Sequence, residues 1–191
     1  MTLSPSAGGD MKAVPGESAQ ADIGVVLDEC GAVLFLAAQS ATTAQLALAV
    51  RHSSGLIHAA MYGPHLDLLR IPVQPVFADQ DSGLGFTVAV DAASVGTGIS
   101  AIDRALTLRT LADPETAPGD LRRPGHVLPV RCRPDADPTT MTVWERALQI
   151  VACQAYIPVA GACRLVHDDG EMLNANAARK FADEHGLQVY G

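Results

Sequence analysis

Apolar positions along the chain fall into short continuous runs and into faces at helical spacing. The runs Ile23–Asp28 and Ala32–Ala37, parted by Glu29-Cys30-Gly31, predict two strands around a turn. Between Thr42 and His52, Leu46, Ala47 and Val50 recur at helical spacing, with Thr42 or Thr43 in a capping position. Gly55–Ala60 predicts a buried strand, and Gly63-Pro64 opens a short helix that Pro72 ends. Residues 73–85 are irregular and hold Pro75, Asp79, Asp81, Gly83 and Gly85. Phe86–Val90 predicts a strand, and Ser100 followed by Asp103 has the capping-box pattern for a helix running to about Leu111. A polar loop follows from Asp113 to Gly125, then a strand over His126–Arg131. From Thr140 onward, Trp144, Ala147, Leu148, Val151 and Ala155 share one helical face. Val159–Val166 predicts a strand, His167–Gly170 a turn, and Ala178, Phe181, Ala182 and His185 the inner face of a last helix. A short strand over Leu187–Tyr190 follows.

Strands and helices interleave, yet some strands are adjacent and others lie far apart. That order predicts a mixed sheet rather than a purely parallel one. The Ser-, Gly- and Pro-rich stretch 1–22 reads as a flexible tail, leaving 23–191 as a single domain. With 48% hydrophobic residues among 191, the chain can bury a core. A formal charge of −8 and 4% aromatics offer no basic stripe for phosphates, which argues against nucleic-acid binding. The longest wholly apolar stretch, Ala32–Ala38, is too short for a membrane span, and the N-terminal residues lack the pattern of a secretory signal. Cys30, Cys132, Cys153 and Cys163 show no C-x-x-C spacing. They read as reduced thiols, which places the protein in the cytoplasm. His52, His65, His167 and His185 form no spaced ligand set, so neither a metal site nor a cofactor is expected.

Five segments occur in one order and spacing: Arg51-His-Ser-Ser-Gly-Leu-Ile57, Gly85-Phe-Thr-Val-Ala-Val-Asp91, Gly96-Thr-Gly-Ile-Ser-Ala-Ile-Asp-Arg104, Arg123-Pro-Gly-His-Val-Leu-Pro129 and Asp168-Asp-Gly-Glu-Met172. Together they resemble the 3,4-dihydroxy-2-butanone 4-phosphate synthases. The resemblance implies a compact α+β fold with a mixed sheet and a homodimer whose active sites lie at the subunit interface. It also implies a magnesium-dependent conversion of ribulose 5-phosphate into formate and a four-carbon riboflavin precursor.

Fold does not transmit function, so the site is compared position by position. The family's acidic metal-binding loop corresponds here to the shortened stretch Leu27–Val33, with Asp28 and Glu29 its only carboxylates. By the same register Trp144 stands where the metal-binding histidine belongs. Met141 and Glu145 stand where the family binds phosphate. Arg164 aligns with the catalytic glutamate and His58 with a pocket cysteine, while His126, Thr97, Asp103 and Arg104 persist. Metal Lewis acidity is worth several kcal/mol, and one lost oxyanion donor costs roughly 10²–10³ in rate. The register therefore predicts that the family reaction is lost.

Each candidate carries a bland reading beside the chemical one. His126 is the acid/base candidate or a packing histidine. Asp28 and Glu29 are a base for metal-free chemistry or a solvated turn. His58 and Trp144 line a substrate pocket or fill core. Arg164, in an apolar strand, needs an anionic partner, either Asp28 or Glu29 or a bound anion. Thr97, Asp103 and Arg104 straddle a helix N-terminus, as an anion site or as caps. Arg123 joins them as a substrate-binding candidate. The functional expectation is a metal-independent enzyme acting next to a carbonyl, by proton transfer, elimination or rearrangement, on a small anionic or aromatic substrate. A non-catalytic binding or regulatory homologue and an authentic synthase are the alternatives.

Overall fold

The computed structural model describes residues 22–77, 83–154 and 157–191. All but the last residue of the expected tail lies outside them, as do Asp79, Asp81 and Ala155. The expected α+β architecture is present, built on one mixed sheet of eight strands. The strands are β1 (Ile23–Asp28), β2 (Gly31–Ala37), β3 (Ile57–Tyr62), β4 (Gly85–Phe86), β5 (Val90–Ala92), β6 (Leu121–Cys132), β7 (Val159–Arg164) and β8 (Gln188–Tyr190). Their order is β4-β6-β3-β7-β2-β1-β8, with β5 also paired to β6. The helices are α1 (Thr43–Arg51), α2 (Gly63–Leu68), α3 (Ala101–Leu111), α4 (Val143–Cys153) and α5 (Ala175–His185).

Alternation along β2 shows how the sheet is covered. Ala32, Leu34 and Leu36 enter the core that also holds Leu46 of α1, Leu108 of α3 and Phe181 of α5. Val33, Phe35 and Ala37 point the other way, into the core made with Trp144, Leu148 and Val151 of α4. Both faces are covered, which is why this strand reads as an unbroken apolar run. β1 and β2 pair antiparallel down to Asp28 opposite Gly31, so their connection is the two residues Glu29 and Cys30. Gly31 sits at φ 129°, where its missing Cβ lets the chain reverse beside the Leu173 carbonyl.

Local chemistry sets the helix starts. Thr142 accepts a hydrogen bond from the Glu145 N–H at 3.2 Å, and the Glu145 carboxylate accepts from the Thr142 N–H at 2.9 Å. This reciprocal cap starts α4 at Val143, three residues later than the apolar spacing suggests. Before α3, Ser100 accepts from the Asp103 N–H, but the Asp103 carboxylate turns to the Gly98 N–H instead of completing a box. The expected loop before His126 is corrected: β6 already begins at Leu121, because β5 pairs with Leu121 and Arg122. The strand expected over Phe86–Val90 is split in two, with β4 ending at Phe86 and β5 starting at Val90.

Candidate functional site

Two groups of polar side chains gather near the α4 face of the sheet. The first is built on β5 and β6. His126 and Leu128 lie two residues apart on β6, and Leu128 is the register partner of His58 on β3. A period of two therefore places His126 and His58 on the same face. The His126 backbone N–H donates to Asp91 Oδ1 at 2.9 Å, and its Nδ1 lies 2.8 Å from Asp91 Oδ2. Asp91 is 1% exposed and the His126 side chain 40%. A buried carboxylate facing Nδ1 selects the tautomer with the proton there, so Nε2 keeps its lone pair as acceptor and base.

The loop 96–99 fits against this pair. A Cβ at Gly98, whose φ is 79°, would collide with the Asp91 carboxylate and the His126 ring. Asp103 holds the loop through the Gly98 N–H at 3.0 Å, and Arg122 holds it through the Gly96 carbonyl at 3.0 Å. Thr97 Oγ1 accepts from the Ile99 N–H at 3.4 Å. Arg104 and Arg123 serve the backbone. Arg104, 9% exposed, donates to the Gly55 carbonyl at 2.5 Å, and Arg123 donates to the carbonyls of Leu69, Pro118 and Leu121.

The second group surrounds a cavity of about 730 Å³ between the β1–β2 turn, the start of α4 and the end of β7. Arg164 donates to Asp28 through both terminal nitrogens, at 2.7 and 2.6 Å, in a bidentate fork. Asp28 Oδ1 also accepts from the Cys30 N–H at 2.9 Å. The guanidinium carbon of Arg164 lies 5.8 Å from the centre of the Trp144 ring. On the inner side, the ring of His58 lies 4.4 Å from Trp144 and 5.7 Å from Phe86. Burial lowers the His58 pKa to about 4, opposed by its hydrogen bond to the Ala162 backbone and helped by the charge of Arg164. His58 is thus a neutral ring at ordinary pH, and its Nδ1 has no hydrogen-bond partner.

Behind the helix start, Arg133 holds Glu145 through Nε at 2.8 Å and a terminal nitrogen at 3.0 Å. Burial alone would raise the Glu145 carboxyl. The hydrogen bonds from Arg133 and from the Thr142 and Arg133 backbone N–H groups win and bring it to about 2.

The residue types around this cavity bear on a divalent cation. Such an ion takes oxygens free to coordinate. Both Asp28 oxygens face Arg164, both Glu145 oxygens accept hydrogen bonds, and Glu29 is exposed at the turn. Among the described residues, no three of His, Cys, Asp and Glu are placed to hold a metal ion. Asp28 and Glu145 thus offer such an ion no unengaged oxygen, and Glu29 at the turn is the carboxylate left to meet it.

Of the sequence candidates, the structure brings Asp28, Arg164, Trp144 and His58 together at one place, and Thr97 and Asp103 beside His126 at the other. Sequence reasoning missed Asp91, although a lone carboxylate closing the apolar run Phe86–Asp91 was the signal for it. It also missed Arg146 and Arg179, which line the cavity but lie far apart in the chain. Among the described residues, no helix is long and apolar enough to cross a membrane.

The family model described as 3,4-dihydroxy-2-butanone 4-phosphate synthase matches residues 19–191. The chain is 40% identical over 155 residues to the riboflavin biosynthesis protein RibBA of Salinispora arenicola, covering 81% of this chain and 37% of that protein. It is 36% identical over 157 residues to the 3,4-dihydroxy-2-butanone 4-phosphate synthase of Erwinia tasmaniensis, covering 82% and 72%. It thus spans little more than a third of the first relative and most of the second. A solved 3,4-dihydroxy-2-butanone 4-phosphate synthase in complex with two magnesium ions superposes with a TM-score of 0.82 at 36% identity, over 88% of this chain and 86% of that one. A cation-free form of such a synthase gives 0.79 at 37% identity, over the same shares.

Proposed function

The chain belongs to the 3,4-dihydroxy-2-butanone 4-phosphate synthase family, and from that premise we propose that it is a metal-independent enzyme for a small anionic substrate. The observation that carries this reading is the bidentate Asp28–Arg164 pair. It closes a two-residue turn at the place where the resemblance puts a cation-binding acidic loop. The fork neutralises Arg164 and engages both Asp28 oxygens, so this carboxylate keeps no free acceptor there for a cation.

The reaction is proton transfer next to a carbonyl. His126 Nε2 takes the proton, and the C–H electron pair enters an enolate. Where the deprotonated carbon bears a hydroxyl, the enediolate takes a proton at the former carbonyl carbon while the hydroxyl proton passes to the other oxygen, an isomerisation. Where the β-carbon bears a leaving group, collapse expels it with its electron pair, an elimination. Asp91 keeps His126 in the required tautomer and offsets the positive charge it gains. The active unit is a homodimer with its sites at the subunit boundary. The resemblance to the family supports this assembly.

A second reading, an authentic synthase of riboflavin biosynthesis, draws on the 36% identity to the Erwinia tasmaniensis enzyme and on the His126–Asp91 pair. Formate release from ribulose 5-phosphate with magnesium separates the two. No formate above the uncatalysed rate is expected, and ordinary turnover would replace the first reading by the second.

A further inference from the structure

Three guanidiniums line the cavity beside Trp144, and only Arg164 is spent on a carboxylate. Arg146 gives one N–H to the Leu27 carbonyl at 3.2 Å. Arg179 reaches no further than the Ala175 carbonyl of its own helix, at 3.4 Å. Gly191 also lines the cavity, yet neither Arg146 nor Arg179 forms an ion pair with it or with any other described residue. Met141, Val143 and Trp144 give the same cavity an apolar lining, with Asp28 tied to Arg164 and Glu29 at its turn. His58 behind Trp144 stays neutral and adds no charge.

We infer that Arg146 and Arg179 form an oxyanion subsite and that the ligand is a small organic anion whose apolar body lies against Met141, Val143 and Trp144. The inference deepens the reading above by naming the substrate class of the same cavity. Two guanidiniums without an ion pair and an apolar lining in one cavity suit a carboxylate or phosphate monoester carrying a hydrocarbon or aromatic group. A bare sugar phosphate would leave the apolar lining uncovered.

Trp144 is the chain's one tryptophan, so emission excited on the red edge, where the three tyrosines do not absorb, comes from the lining of this cavity. The purified full chain is titrated with benzoate and phenyl phosphate, then with acetate and inorganic phosphate, which carry the charge without the body. Saturable change in emission is expected with the first pair, with the second pair at least about tenfold weaker. Whichever of benzoate and phenyl phosphate binds more tightly assigns the oxyanion as carboxylate or phosphate. Arg146→Gln and Arg179→Gln should each weaken binding by about tenfold or more, the usual effect of losing a charge-assisted hydrogen bond. Arg179 is exposed, so its replacement leaves the fold intact and keeps the test sharp. No saturable change with any probe, equal affinity for phosphate and phenyl phosphate, or unaltered binding by both variants would overturn the subsite. Binding is read without turnover, so formate release from ribulose 5-phosphate would remove the metal-independent reaction without deciding this result.

Discussion

Between pH 6.5 and 4 the largest acid destabilisation should come from His58. The ring is 5% exposed, packed against Trp144 and near the Arg164 charge. In the unfolded chain it takes up a proton near pH 6.5, whereas the folded chain resists until about pH 4. The unfolded state therefore binds more protons in that window, and stability falls as pH drops through it. Above pH 6.5 both states hold a neutral ring and the effect vanishes. Integrated over the window the loss is about 3 kcal/mol, of which about 2 kcal/mol has gone by pH 5. Urea unfolding followed by Trp144 emission at pH 7, 6 and 5 measures it, and the loss to pH 5 corresponds to a midpoint about 1 M lower. His58→Gln keeps a donor for the Ala162 carbonyl but cannot titrate, so its midpoint should fall about 1 M less than the wild type's between pH 7 and 5. Parallel pH dependences for the two proteins would refute the argument, since other titrating groups are common to both.

Other perturbations follow from the same contacts. Arg164→Met should cost about 1–3 kcal/mol in urea unfolding by leaving the Asp28 carboxylate partly buried and unpaired, and adding Asp28→Asn should recover part of it. Glu145→Gln should cost about 1–3 kcal/mol at pH 7, because the Arg133 pair and half of the α4 cap weaken together. The carboxyl is depressed in the fold, so this stabilisation is present above about pH 4.5 and is lost as pH falls toward 2. Gly98→Ala should separate His126 from Asp91 and move the His126 ring resonances in NMR, whereas unchanged resonances would mean that the loop gives way elsewhere.

Much of the fold was legible because burial writes itself into the sequence. The two faces of β2 made an apolar run, and the spacing of Trp144, Ala147, Leu148 and Val151 marked α4, although the Thr142–Glu145 cap that sets its start went unread. The start of β6 was not legible. Arg122 and Pro124 are exposed there and Gly125 breaks the pattern, so only pairing with distant β5 makes that stretch a strand. The site divides in the same way. Arg164 announced its need for a counter-charge, since a guanidinium in an apolar strand requires one, and Asp28 supplies it. Asp91 hid at the end of an apolar run, and its role depends on a partner 35 positions away. Arg146 of α4 and Arg179 of α5 share a cavity because both helices pack on β1 in the folded chain.

Charge at the β1–β2 turn decides between a site that grips a cation and one that has replaced it with a guanidinium. Manganese(II), a paramagnetic stand-in for magnesium, reports this directly when titrated against the protein with ribulose 5-phosphate present. The electron paramagnetic resonance spectrum should stay that of the free ion and its sugar phosphate complex, with or without protein. A protein-dependent loss of that signal, saturating at one or two ions per chain, would contradict the replacement.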